Sequence, residues 1–346
     1  MRNYFVLCLM LTVLIFTGCD KKDEYIVNID YDDEYYEAYS SYKSGITNSF
    51  ISSRVINNID VNEIEIGLMN LSKKFFKTNN SYLQQGQYLN EKKINMLLSD
   101  EYLNKTDKIT IDGIEISPKY ISTIYEQNYL ASNGNLKGIA ISVVLNNYQE
   151  YKNSYGTTLY KQIDEKTVLE FGKEKAKELL NELRKIKDLS QTKIIIGLYL
   201  CNFPNSTLPG TYKYVGITKN DELEFTNLSY NYYYLNDEYV LNNDINIYNT
   251  FQNLKSEINN YFKQVYPVGI GFYVENKLSK IDINVNAYYL NNIEIISLTD
   301  LIANYIAKNF DTSIYMKVNI NINKEIKAVI LKPNGSNNAN LNILGG

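Results

Sequence analysis

The sequence predicts an α+β fold. Two tandem α+β repeat domains, each a mixed sheet with packed helices, follow a lipoprotein-type signal peptide and an acidic linker. Three observations lead there. Segments of helical period alternate with segments of period two from Ser49 onward. Two strand-like segments, Gly138–Leu145 and Lys193–Leu200, are apolar on both faces, as a central strand covered on both sides requires. The order helix, strand, helix, strand is read twice along the chain, which favours two small domains over one large core.

Residues 1–18 form the leader. Arg2 precedes a largely apolar run from Tyr4 to Phe16. That run is shorter than the ~20 residues needed to span a bilayer and fits a secretory apolar region of ~7–15 residues. Thr17 and Gly18 are small, which lets a peptidase approach the backbone, and Cys19 follows directly. This pattern predicts cleavage between Gly18 and Cys19 by lipoprotein-processing peptidases. The Cys19 thiol then takes a lipid that anchors the chain in the cell membrane, on its extracytoplasmic face. The competing reading is an ordinary signal peptide followed by free secretion.

Residues 19–44 read as a flexible tether. Asp20–Ser44 carries eight acids against three lysines, with six interleaved tyrosines and little aliphatic content. Such a segment cannot bury enough apolar surface to order itself.

The first domain is expected over residues 45–205. Glu63–Phe76 reads as an amphipathic helix through Ile64, Leu68, Leu71 and Phe75. Gly86–Leu89 is a turn or short strand, and Asn90 caps a helix running to Leu98. Ile109–Ile116 is strand-like. Pro118, in a favoured first-turn position, predicts a helix over Lys119–Leu130. The strand Gly138–Leu145 comes next, then a helix over Thr167–Ile186 that buries Ala176, Leu179, Leu180 and Leu183. Its wet face offers the ion pairs Glu170/Lys173 and Glu174/Lys177. The strand Lys193–Leu200 ends at Phe203-Pro204-Asn205 and Pro209-Gly210, the expected domain boundary.

The second domain is expected over residues 206–333. It offers a helix Ile247–Phe262, a hairpin of Gly269–Val274 and Lys280–Tyr288, a helix Ser297–Phe310 and a strand in which Met316, Val318, Ile320 and Ile322 alternate with polar residues. The predicted repeat pairs the helices at 119 and 249, the strands at 138 and 280, the helices at 168 and 297, and the strands at 193 and 314. Residues 334–346 read as a polar tail.

Composition excludes several chemistries. The chain of 346 residues has no histidine, so it offers no Ser-His-Asp triad, no Cys-His pair and no imidazole ligand. Of its 3 cysteines, Cys8 leaves with the leader and Cys19 is lipidated. Cys201 is left without a disulfide partner and is expected to be a small buried residue at a strand end. A net charge of −4 gives no reason to expect nucleic-acid binding. The carboxylate pairs Glu63/Glu65 and Asp282/Glu294 are expected to be surface charges. No catalytic residue, metal site or cofactor is expected.

Several blocks resemble those of the CamS family, bacterial lipoproteins of low-GC Gram-positive bacteria and precursors of a staphylococcal-type sex pheromone. Gly67-Leu68-Met69-Asn70-Leu71-Ser72-Lys73 with Phe76, Tyr82 to Leu89 with its Gly86-Gln87-Tyr88-Leu89 core, and Lys93-Ile94-Asn95 are similar to family segments. So are Tyr120-Ile121-Ser122 with Glu126-Gln127, Leu136-Lys137-Gly138, Pro209-Gly210 and Phe251–Phe262. The resemblance implies a two-repeat fold and a non-catalytic body. It also implies that the functional peptide is cut from the leader as a hydrophobic heptapeptide ending before the lipidated cysteine. By position that is Thr12, Val13, Leu14, Ile15, Phe16, Thr17 and Gly18, released by an intramembrane protease and read by a pheromone receptor on a recipient cell. The alternative is an extracytoplasmic lipoprotein that binds a ligand or partner and has no pheromone role.

Overall fold

A computed structural model describes residues 35–41, 43–45, 48–219 and 222–344. Among these are seven helices and sixteen strands. The first half contains α1 (Asn48–Arg54), α2 (Asn58–Ser72), β1 (Tyr82–Gln85), α3 (Glu91–Leu97), β2 (Ile109–Ile111), β3 (Ile114–Ile116), β4 (Ile121–Leu130), β5 (Leu136–Asn146), β6 (Tyr148–Lys152), β7 (Thr158–Gln162), α4 (Glu165–Arg184), β8 (Lys193–Cys201), β9 (Thr211–Lys219) and β10 (Glu222–Asn227). The second contains β11 (Tyr230–Tyr234), α5 (Glu238–Asn243), α6 (Ile245–Tyr261), β12 (Val265–Val274), β13 (Lys277–Ala287), α7 (Asn292–Asn309), β14 (Tyr315–Ile322), β15 (Glu325–Lys332) and β16 (Asn340–Ile343).

Two six-stranded mixed sheets result, ordered β1-β4-β5-β8-β9-β10 and β11-β12-β13-β14-β15-β16. In each sheet a single pair is parallel, β5 with β8 and β13 with β14. Each parallel pair is joined by its long helix, α4 or α7, because a parallel connection must cross over the sheet. Strand for strand, the two halves therefore repeat one topology. The expected correspondences of strands 138 and 280, helices 168 and 297, and strands 193 and 314 are all present.

The fourth correspondence is corrected. Residues 121–130 are a strand, not a helix, and their counterpart is β12; the helix at 249 has its counterpart in α3. β4 lies between β1 and β5, with Ile124 opposite Val143 and Leu83 opposite Tyr129. It is buried at nine of its ten positions. A segment with no wet side cannot serve as an amphipathic surface helix, and its Ile, Thr and Tyr residues suit a strand.

The first sheet is covered on both faces. α2 packs Ile64, Leu68 and Leu71 on Tyr125, Ala140, Val144 and Ile195. α4 packs Val168, Ala176, Leu179, Leu180 and Leu183 on Ile141, Val143, Ile196 and Leu198. This explains why β5 and β8 are apolar on both faces. Along α4, Glu170 pairs with Lys173 at 2.5 Å as expected, whereas Glu174 pairs at 3.9 Å with the buried Lys175, which also pairs with Glu178 at 2.8 Å. The second sheet is covered on one face by α6 and α7 through Leu254, Ile258, Leu298, Ile302 and Ile306. Much of its other face is polar, and there Asn319 and Asn321 of β14 donate side-chain hydrogen bonds to Asn284 and Asn286 of β13 at 3.2 and 3.1 Å.

Three segments are more integrated than their composition predicts. Phe203–Gly210 connects paired strands of one sheet, since β9 and β10 continue the first sheet beyond it. The chain passes to the second sheet between Asn227 and Tyr230. The end of the acidic tether docks on β1: Ala38 bridges Leu83 in parallel, Leu83 N donates to Glu37 O at 2.9 Å, and Tyr39 N donates to Leu83 O at 3.2 Å. Tyr36 anchors that contact. Its ring is buried against Tyr129 and its hydroxyl donates to Phe76 O. Within the polar tail, β16 pairs with β15 and extends the second sheet.

Candidate functional site

The residues expected to carry the signal, Thr12, Val13, Leu14, Ile15, Phe16, Thr17, Gly18 and Cys19, lie outside the described residues. Within the described residues, the polar groups that are both buried and clustered sit at two places: the junction of the halves and the bend after β1.

At the junction, α2 carries Asp60 in its first turn and Glu63 in its second. Asn57 caps that helix by accepting Ile59 N at 3.1 Å, which directs the turn toward the end of β8. Asp60 is fully buried. Its Oδ1 accepts Tyr199 Oη at 2.8 Å and Gly210 N at 2.6 Å, while Oδ2 meets no donor in hydrogen-bond geometry among the described residues. Burial pushes its carboxyl pKa up; the bonds from Gly210 and Tyr199 pull it back in part. Cys201, the last residue of β8, is buried beside it. Burial and the Asp60 charge drive that thiol well above its usual range. It is therefore a neutral packing group and not a thiolate nucleophile.

Glu63 faces the second half. Burial raises its pKa to about 7, against the opposing pull of the Tyr232 hydroxyl and Lys280. Lys280 itself pairs with Asp282 at 2.7 Å. The expectation that Glu63 is a plain surface charge is thus corrected. Glu294 of the other named pair caps α7, where its carboxylate accepts Asn291 N at 2.8 Å.

At the bend after β1, the Glu126 carboxylate projects from β4 and is almost wholly buried. It accepts the backbone N–H groups of Gln87, Tyr88 and Leu89 at 2.9, 3.1 and 2.8 Å. Here the backbone must come close to the acid: a Cβ on Gly86 would stand 2.6 Å from Glu126 Cβ. Next to it, Gln127 donates to Glu65 O at 2.8 Å and accepts the Tyr129 hydroxyl at 2.9 Å. On α2, a Cβ on Gly67 would meet the Tyr212 ring at 2.9 Å, and that tyrosine donates to Ile64 O at 2.7 Å.

The blocks singled out in the sequence thus make close contacts, one pair with each other and two with residues outside them. Gly86-Gln87-Tyr88-Leu89 meets Glu126, Gly67 meets Tyr212, and Gly210 meets Asp60. Each contact positions backbone. Among the described residues no group of three or more Cys, Asp or Glu side chains could hold a metal ion. Sequence reasoning missed Asp60 and Tyr36, and it named Glu126 within a family-like block without finding its role. The signal for that role is a lone acid in the run Ile121–Leu130.

The fold and this site define a two-repeat α+β protein whose distinctive residues hold its own main chain. The chain belongs to the CamS sex pheromone cAM373 precursor family, whose model matches residues 42–338. No curated protein sequence matches it. Among solved structures, a sex pheromone precursor from Lactobacillus salivarius subsp. salivarius UCC118 is 24% identical, with a TM-score of 0.77 over 91% of this chain and 94% of that one. The C-terminal domain of the sex pheromone staph-cAM373 precursor from Staphylococcus aureus is also 24% identical, with a TM-score of 0.74 over 85% of this chain and 99% of that one. At this identity the likeness is one of fold.

Proposed function

We propose that the chain is the precursor of a short hydrophobic signalling peptide and that its body stays on the membrane as a non-catalytic lipoprotein. The observation that carries this is the leader: an apolar run of thirteen residues closed by Thr17-Gly18-Cys19, in a chain of a pheromone-precursor family. Lipoprotein-processing peptidases cut before Cys19, the lipidated Cys19 anchors the body, and an intramembrane protease releases Thr12–Gly18. With no charged side chain, that peptide can enter a receptor pocket on a recipient cell through apolar contact alone.

Two measurements test this. Cys19→Ala should move the body from the membrane fraction to the medium; continued retention refutes the anchor. Mass spectrometry of the culture supernatant should find the fragment of residues 12–18, and the synthetic peptide should elicit a response in recipient cells. An anchored body with no such fragment would instead favour a binding lipoprotein without a pheromone role.

A further inference from the structure

We infer that the end of the second sheet remote from the junction is a membrane-contact surface, which lays the anchored body down on an anionic lipid bilayer. The inference rests on the lipid-anchor reading for its setting and on the geometry of this end for its substance.

The side chains involved are Tyr261, Tyr266, Tyr288, Tyr289, Ile293 and Ile326. Strand register brings them to one place. Tyr266 of β12 is opposite Asn286 of β13, Ala287 of β13 is beside Ile322 of β14, and Ile326 of β15 is opposite Asn321. Tyr288 and Tyr289 follow β13 directly, Ile293 is in the first turn of α7, and Tyr261 ends α6 just before β12. The junction with the first half lies at the other end of these strands, at Tyr230, Val274 and Lys280. Tyr288, Tyr289 and Ile293 are 79%, 78% and 76% exposed. Apolar side chains this exposed are ordinary when scattered, but a contiguous group of them marks an interaction surface.

The composition selects the occupant. The surface is a projecting end made of turns and helix termini, not a groove that would enclose a peptide. Tyrosine favours the membrane–water interface, where its ring is apolar and its hydroxyl wet. Isoleucine supplies the part that enters the acyl boundary. The charges agree as well. Lys263 and Lys324 are exposed at this end. Of its acids, Glu294 is engaged in the α7 cap and Glu325 pairs with Lys327 at 2.7 Å. With Lys327 this end carries three lysines against these two carboxylates, a local excess of one positive charge toward anionic headgroups in a chain that carries −4 overall.

The anchor makes a weak contact sufficient. Residues 19–35 lie between the lipid and the docked Tyr36, a number of residues that can span at most about 55 Å at roughly 3.3 Å each. The tether enters at Phe76 and Gly138, the end of the first sheet remote from the junction. It therefore does not itself press the tyrosine end onto the bilayer. Once anchored, the surface meets the membrane as an intramolecular event at high effective concentration.

The chain supplies its own probe. It has no tryptophan, and without the leader its thiols are Cys19 and Cys201, of which Cys201 is buried. The mature chain from Cys19 can be coupled through that thiol to a maleimide lipid in vesicles containing phosphatidylglycerol. Tyr289→Trp should then show a blue-shifted emission and at least twofold quenching by brominated acyl chains. Tyr155→Trp, at the exposed turn between β6 and β7, should show neither. Adding Ile293→Asp to Tyr289→Trp should abolish both effects. Equal emission with and without vesicles, or a shift that depends on protein concentration in their absence and so reports pairing of two bodies, would overturn the inference. Because the lipid is attached chemically, this outcome is independent of whether Cys19 is lipidated in cells.

Discussion

A buried carboxylate that receives three main-chain N–H bonds shows how single residues act in this protein. Glu126 satisfies donors that the bend at Gln87–Leu89 takes away from water, and leaving buried donors unmatched costs ~1–3 kcal/mol each. Glu126→Ala should therefore destabilise the protein by about 3 kcal/mol in urea unfolding, with its effect concentrated on amide exchange at residues 87–89. Glu63 predicts the opposite kind of result. Its native pKa is about 7, above its ordinary 4.5. Between those values the native state binds more protons than the unfolded state, so stability falls as pH rises from about 4.5 to about 7. Glu63→Gln should match the parent below pH 4 and exceed it at pH 8 by about 3 kcal/mol, as followed by thermal unfolding at both pH values. Neither role was legible in the sequence. A lone acid in an apolar run announces burial but not its partner, because the three N–H groups it serves lie almost forty residues away.

At the scale of elements, the reading succeeded where one face of a segment is wet. α4, α7 and β14 each display their period because solvent and core alternate around them. It failed at 119–130 because Ile121, Ile124 and Tyr125 also fall at helical spacing, and a strand buried on both faces has no alternation to correct that impression. The tether and the tail failed for a different reason. Pairing to an existing sheet edge depends on the edge, and neither Tyr36–Tyr39 nor Asn340–Ile343 carries a pattern that requires it. Tyr36→Ala should release the tether by removing the ring contact with Tyr129 and the bond to Phe76 O. The expected sign is rapid proteolysis between residues 36 and 45 and faster exchange of the Leu83 amide, with a loss of about 1–2 kcal/mol in global stability.

At the scale of the whole molecule, the repeat was visible in outline because helix and strand periods recur, although one pair of elements was mismatched. The transition between halves was displaced because Pro204 and Pro209-Gly210 mark a turn, and a turn within a sheet looks the same in sequence as a turn between sheets. The distinction can be measured. A fragment of residues 35–205 would end at β8 and leave that fully apolar strand without β9, the arrangement most prone to edge-to-edge aggregation. A fragment of residues 35–229 keeps the first sheet complete. Light scattering and the soluble fraction should show the shorter fragment aggregating and the longer one monodisperse; equal solubility of the two would return the boundary to Phe203–Gly210.

The docked end of the tether has a mechanical consequence. Tyr36–Tyr39 lies alongside β1, so tension delivered along the strand axis loads the two main-chain bonds to Leu83 and the Tyr36 ring contact together. A contact loaded in shear yields only when all its parts yield at once, whereas one peeled from its end yields bond by bond. An anchored body dragged through a crowded envelope would therefore transmit the pull into the first sheet, beside the strand that Glu126 clamps.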